Sequence, residues 1–429
     1  MTSRVLLAGG CVLTLGARTP NHAQADVLIQ DDVIAEVGPS IRARDAEQID
    51  ATDTIVMPGF VDTHRHAWTS LFRNVGQRDA NADPAGEGAG GFGPDDVYAA
   101  TLVGLLGATE AGITTVVDWG HAGDDDALAD AALRAHADSG LRTVFVHTGG
   151  TAGLKERVGR LTGSAGPTTT IAFGCVAPGA RDLDAAASDW AAARELGLRI
   201  HVHAVPEGIA AAAGHGLLGD DVTVVHGSPL EPSDAGAIAS SGAAISIAPV
   251  SEMAGGRGAP PIQHQIDADV RPGLAVDDER VAPGDLFAQM RAAISMQHAT
   301  VFDRKLAGKS GVPKLMTTRN VIRFATSDGA GAAGLGGVSG SLEAGMQADV
   351  LVLRADRPNI FPVNDPIGAV VWGMDTSNVD WVFVAGRALM REGRLNADVQ
   401  RARDLAAEAR ERVGDGSGSI VGAASGGVG

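Results

Sequence analysis

The feature that most constrains this chain is a rhythm through its middle, where short runs rich in β-branched residues alternate with alanine-rich stretches of helical character. Eight such runs are present: Ile55–His66, Thr114–Asp118, Arg142–His147, Thr168–Cys175, Leu198–His203, Val222–His226, Ala244–Ala248 and Gly273–Asp277. Strands that alternate with helices bury both faces of a parallel sheet. Eight units over about 220 residues match a (β/α)8 barrel, usually ~250 residues, better than a six-stranded doubly wound sheet.

The two ends read differently. Apolar runs at 5–8, 12–15, 26–29, 33–37 and 54–57 are separated by turn residues, as small antiparallel strands are. The pattern returns at Ala348–Leu353, Ile367–Trp372 and Val379–Val384, the last followed by the turn Ala385-Gly386-Arg387. The expected architecture is therefore α/β: a TIM-like barrel over 57–334, and a small β-sandwich domain built from 1–56 together with 335–395. A C-terminal helix, Asn396–Val413, and a flexible, low-complexity tail complete residues 396–429. Gly76–Asp95, rich in Gly, Asp and Ala, reads as a loop after the first barrel strand.

Composition narrows the partners. Acidic residues outnumber basic ones 52 to 34, a formal charge of −18, which leaves no basic surface for nucleic acid or an anionic membrane. No stretch approaches the ~20 uninterrupted apolar residues of a membrane span. Met1–Gly16 lacks a basic segment followed by a continuous apolar one, so it reads as strand and not as a signal peptide. With only Cys11 and Cys175 there is no disulfide framework, and a reducing cytoplasm is expected.

Six of the eight runs contain or end in His or Asp, at the strand ends where barrel enzymes place their chemistry. The first ends Asp62-Thr63-His64-Arg65-His66. Residues i and i+2 of a strand share a face about 6.6 Å apart, so His64 and His66 can address one ion. The fifth ends His201-Val202-His203, the sixth at His226 and the eighth at Asp277. Imidazoles and a carboxylate gathered from separate strands suit zinc or ferrous iron. His121, just after the second run, and His147, at the end of the third, face either substrate or the supporting shell. Trp68 and Trp119 are candidate stacking surfaces for a planar ligand.

The segment Pro58-Gly59-Phe60-Val61-Asp62-Thr63-His64-Arg65-His66 resembles the metal signature of the amidohydrolase superfamily. So do Gly112-Ile113-Thr114-Thr115-Val116-Val117-Asp118 and Gly340-Ser341-Leu342-Glu343-Ala344-Gly345 before Ala348-Asp349-Val350. Within it the chain is most similar to the cytosine deaminase and triazine chlorohydrolase branch. The resemblance implies one divalent metal, Zn2+ first and Fe2+ as the alternative, held by His64, His66, a fifth-strand histidine and Asp277. His203 is favoured over His201, which would lie one layer deeper. His226 and Asp277 are the implied catalytic proton carriers. Trp68, His121, His201 and Glu252 are the substrate-side candidates.

The binuclear members of the superfamily bridge two ions with a lysine on the fourth strand. This chain has only Lys155, Lys305, Lys309 and Lys314, none on that run, and a single ion follows. One departure stands out. Deaminases of the branch carry a glutamate three residues after the fifth-strand ligand; here that place holds Pro206, or Ala204 if His201 is the ligand. Glu207 and Glu252 are the substitutes within reach of the rim. The expected function is hydrolysis of a C–N bond, an exocyclic amine or a cyclic amide, in a small polar heterocyclic compound by a homodimeric enzyme. The alternatives are a barrel that only binds its ligand, or a metal-dependent lyase or decarboxylase. The acidic surface disfavours highly anionic substrates unless the metal and Arg65 or other local arginines dominate the mouth.

Overall fold

The computed structural model describes residues 3–74, 91–120, 122–178, 182–228 and 230–414. Eight parallel strands form the barrel: β1 (Phe60–Arg65), β2 (Ile113–Gly120), β3 (Arg142–His147), β4 (Thr169–Val176), β5 (Ile200–His203), β6 (Val222–Val225), β7 (Ala244–Ile247) and β8 (Gly273–Leu274). They pair in sequence order from β1 to β8. The eighth strand is far shorter than its sequence run, and the barrel closes beyond it. Asp277 N donates to His64 O, and His66 N donates to Asp277 O, both at 2.9 Å.

The first run divides into two strands. Thr54–Pro58 belongs to the terminal sheet, and β1 begins after Gly59. A Cβ at Gly59 would lie 2.1 Å from Thr114 Cγ2, so glycine alone lets the chain pass from one sheet into the other here.

Strand alternation sorts the side chains. Ile200, Val202, Val222, Val224, Ile245 and Ile247 pack outward on the helices. Val117, Trp119, Val144, Val146 and Ala172 fill the interior, over Ala330 of the helix Ser327–Ala332. His201 and His203 therefore share the inner face of β5.

The terminal strands form one continuous nine-stranded sheet, the form that the expected sandwich takes. Arg4–Val12 pairs with His22–Gln30 and with Glu47–Asp50, a short strand not expected from the sequence. Val350–Arg354 pairs with Thr54–Pro58, so the late segment completes the sheet begun by the early one. Arg142 at the base of β3 ties the two bodies together through Asp349 (2.6 Å) and Gln347 (2.8 Å).

Three expectations are corrected. Ile367–Trp372 is helical, over Pro366–Gly368 and Ala369–Gly373: Asp365 accepts from Ile367 N at 3.2 Å, and Pro366 starts the turn. Ile367, Val370 and Val371 are buried at a helical i, i+3, i+4 spacing. The helix Pro94–Glu110 begins inside the segment read as a loop, of which 75–90 lies outside the described residues. The C-terminal helix starts at Val399, where Asp398 caps it, and the tail 415–429 also lies outside the description. No helix among the described residues is long and apolar enough to cross a membrane.

Candidate metal centre

Five side chains converge at the closed end of the strands. His64 Nε2 and His66 Nε2 are 3.2 Å apart, and Asp277 Oδ1 is 3.4 Å from the first and 3.3 Å from the second. Two imidazole nitrogens with a carboxylate oxygen at such spacing outline one face of a polyhedron. Tetrahedral zinc with ~2.0–2.1 Å bonds demands ligand–ligand edges of about 3.3 Å, and all three observed edges agree. His203 brings its ring 4.9 Å from those of His64 and His226. One ligand atom from each of His64, His203 and His226 falls within 4.8 Å of the others.

The donor set is otherwise unspent. His64 Nδ1, His203 Nε2 and both nitrogens of His226 are buried without a hydrogen-bond partner. Unpaired buried donors and acceptors are costly, and a bound cation removes that cost for the lone pairs facing it. Burial, with the neighbouring imidazoles, pushes His64 down to about 3 and His203 well below the ordinary histidine range, so both are neutral, as a ligand must be. Burial alone would raise the Asp277 carboxyl. His226 and the hydrogen bonds from His64 and His66 outweigh it and hold the group well below the usual carboxylate range.

The backbone is strained where chemistry is aimed. His226 and Asp277 have φ of 72° and 64°, left-handed values uncommon outside glycine, though histidine and aspartate adopt them more readily than most residues. The short helix after β7, Pro249–Ala254, braces both. Ser251 Oγ donates to Asp277 Oδ2 at 2.7 Å, leaving Oδ1 for the histidines. Glu252 is fully buried, and accepts from Ala248 N at 2.9 Å, Gly227 N at 3.1 Å, and both N and Oγ of Ser228. Its Oε1 lies 3.7 Å from His226 Nδ1. Glu252 thus sits behind the rim, holding the turn that carries His226. Neither role was legible in the sequence, where Ser251 carried no signal of its own.

Other expected residues are placed as follows. His201 lies beneath the cluster, fully buried, with both ring nitrogens unpaired and its pKa held well below the ordinary range by burial and Arg199. His147 shares the outward face of Phe145, which packs with Leu133 and Leu161 in the helical layer. His121 lies outside the described residues. Trp68 is 7% exposed and packs edge-on to Phe92. Trp119 is the aromatic next to the centre, tilted 31° over His203 at 4.2 Å. Its indole fits because Gly174 has no side chain: a Cβ there would lie 3.0 Å from Trp119 Cη2. Glu207 is exposed at the start of the helix Gly208–Gly214, and Lys155 is exposed on the helix Leu154–Ser164. Arg65 cannot meet an anion at the mouth. It is fully buried, donating to Asp62 Oδ2 at 2.7 Å and Gly284 O at 2.9 Å.

The amidohydrolase family matches the chain over residues 55–389. The chain belongs to that family. This amidohydrolase is a hydrolase acting on C–N bonds, and its centre suits a divalent metal. It is 27% identical to a 5'-deoxyadenosine deaminase of Methanosarcina mazei, over 95% of this chain and 98% of that one. It is 28% identical to a 5-methylthioadenosine/S-adenosylhomocysteine deaminase of Haloarcula marismortui, over 96% and 100%. The fold matches a zinc-bound adenosine deaminase from Xanthomonas campestris (TM-score 0.80, 19% identity, 96% and 98% covered). It also matches a zinc-bound atrazine chlorohydrolase from Arthrobacter aurescens (0.77, 23%, 94% and 99%).

Partners one layer behind metal ligands typically matter by about 10–100-fold in affinity or activity. Ser251→Ala is expected to weaken metal binding within that range, read by competition against a chelator, with Ser251→Thr restoring most of it.

Proposed function

We propose a mononuclear, zinc-dependent hydrolase that breaks a C–N bond of a small planar heterocyclic compound, with ring opening of a cyclic amide as the favoured reaction. His64, His66, His203 and Asp277 would hold the ion. When bound, it supplies a water made acidic by its charge. Asp277, its Oδ2 fixed by Ser251, would both help hold the ion and serve as the site's proton acceptor. His226 passes a proton to the departing nitrogen, its ring held in place by the turn that Glu252 grips. Trp119 walls the site against a flat substrate.

The observation that carries the choice of amide is the fifth strand. Ring deamination needs an acid to protonate a ring nitrogen, and Pro206 stands where the branch places it while Glu207 is exposed. A cyclic amide needs protonation only at the leaving nitrogen, which His226 serves. The second reading is deamination of an adenine nucleoside, favoured by what the curated relatives act on. One zinc per chain, a cytoplasmic setting suited to two free cysteines, and self-association complete the proposal.

A panel decides between the readings. Cyclic amides are expected to open while 5'-deoxyadenosine and 5-methylthioadenosine release no ammonia; ammonia from either nucleoside establishes the second reading. Elemental analysis is expected to find about one equivalent of zinc, lost in the His64→Ala, His66→Ala double variant.

A further inference from the structure

The His64/His66/Asp277 face of the metal centre is assembled from two segments that no regular ladder joins. β8 ends at Leu274, and among the described residues a single bridge, Arg65 to Asp277, pairs the chain beyond it with β1. One bridge cannot set a spacing by repetition, as a ladder does. The histidine arm is held from β2, where Asp118 Oδ1 accepts from Ala67 N at 2.9 Å. The Asp277 arm needs an anchor of its own.

Arg65, the residue between the two histidines, supplies it. Its side chain is fully buried, and its guanidinium reaches both sides of Asp277. Nε donates to Asp62 Oδ2 at 2.7 Å, and Asp62 Oδ1 accepts at 2.9 Å from Val276 N, the residue before Asp277. Nη1 lies 3.4 Å from Oε2 of Glu279, two residues after Asp277, and Nη2 donates to Gly284 O at 2.9 Å. Glu279 is itself tied to the segment that follows His66: it accepts from Ser70 Oγ, and from Arg73 Nε at 2.9 Å. Two glycines keep space for this arrangement. A Cβ at Gly284 would lie 2.2 Å from Glu279 Oε1, and one at Gly104 would lie 2.4 Å from Ser70 Oγ. For stability alone, apolar packing serves as well as a buried ion pair. What the guanidinium adds is direction, because its planar fork fixes acceptors in angle as well as in distance. We propose that Arg65 and Glu279 are positioning residues of the metal centre, which set Asp277 Oδ1 at its distance from His64 and His66. The proposal rests on the reading of those three residues as metal ligands.

Zinc affinity by chelator competition, together with the visible spectrum of Co2+ bound in place of zinc, tests this on the full-length protein without a substrate. Arg65→Lys keeps the charge and loses the fork; Glu279→Gln keeps the shape and loses the charge. Each is expected to weaken zinc binding about 10–100-fold, the range for partners one layer behind metal ligands, and to change the Co2+ spectrum. Ser70→Ala loosens Glu279 while leaving its charge pairs, and is expected to give a smaller loss in the same direction; it decides the matter if the charge variants do not fold. Asp349→Asn is the structural control, because it breaks the buried pair with Arg142 at the base of the barrel. It is expected to lower the urea midpoint and leave zinc affinity and the Co2+ spectrum unchanged. Wild-type affinity and spectrum in the folded charge variants, or in Ser70→Ala if those do not fold, would overturn the proposal. So would an equal loss of zinc affinity in Asp349→Asn. A wild type that takes up neither metal removes the ligand reading and the proposal with it, whereas unchanged binding in the variants leaves the ligand reading standing.

Discussion

Asp277→Asn is expected to lower kcat by about 10²–10⁴-fold, the range that a positioned acid–base group contributes, with far less change in substrate affinity. The carboxylate has two oxygens with different tasks. Oδ2 is fixed by Ser251, and Oδ1 faces His64 and His66 at 3.4 and 3.3 Å. An amide keeps the shape and the contact to Ser251, but has no basic oxygen to accept a proton. Metal content measured on the same preparation separates lost proton transfer from lost metal. A variant that keeps its metal and loses turnover supports the assignment; one that turns over like the wild type removes Asp277 from the proton path. A barrel that only binds its ligand would show the third pattern, unchanged affinity with no turnover in the wild type itself.

The site was legible to the extent that it is local along the chain. His64 and His66, and His201 and His203, declare a shared face because strand periodicity is two, and the C-terminal ends of barrel strands are where such residues gather. Contacts set by the third dimension were not. That Trp119 leans on His203 depends on the missing side chain at Gly174, on another strand. That Ser251 and Glu252 support Asp277 and His226 depends on left-handed backbone at both of those residues, which no pattern of residue types announces. Ile367–Trp372 shows the limit for fold. A short β-branched run suits strand or buried helix alike, and the deciding signal was the Asp365-Pro366 start just before it. Arg65, expected among the charges at the mouth, is instead a buried brace paired with Asp62 and Glu279.

Freed of metal, the protein is expected to lose stability as pH falls from 7.5 to 5.5. Burial holds His64 at about 3 and keeps His201 and His203 well below the ordinary range, whereas in the unfolded chain each titrates near the ordinary histidine value of about 6.5. Below that value the unfolded state binds more protons than the native one, so stability drops with decreasing pH. An unfolded histidine is only half protonated at 6.5, so each contributes about 1 kcal/mol between pH 6.5 and 5.5, and three amount to about 3 kcal/mol. A domain with ~5–15 kcal/mol in total would feel this strongly. Asp277 acts in the same direction at lower pH, since its depressed pKa stabilises the fold above the ordinary carboxylate value and that contribution fades as acid protonates it. Urea unfolding of chelator-treated protein at the two pH values reads the effect as a shift in midpoint at constant slope, and calorimetry in buffers of different ionisation enthalpy counts the protons taken up. Bound metal requires the same neutral imidazoles, so the holoenzyme falls in the same direction but over a window set by metal release. An unchanged midpoint would mean that the native imidazoles take up protons as freely as the unfolded ones, and the buried cluster would then be open to water.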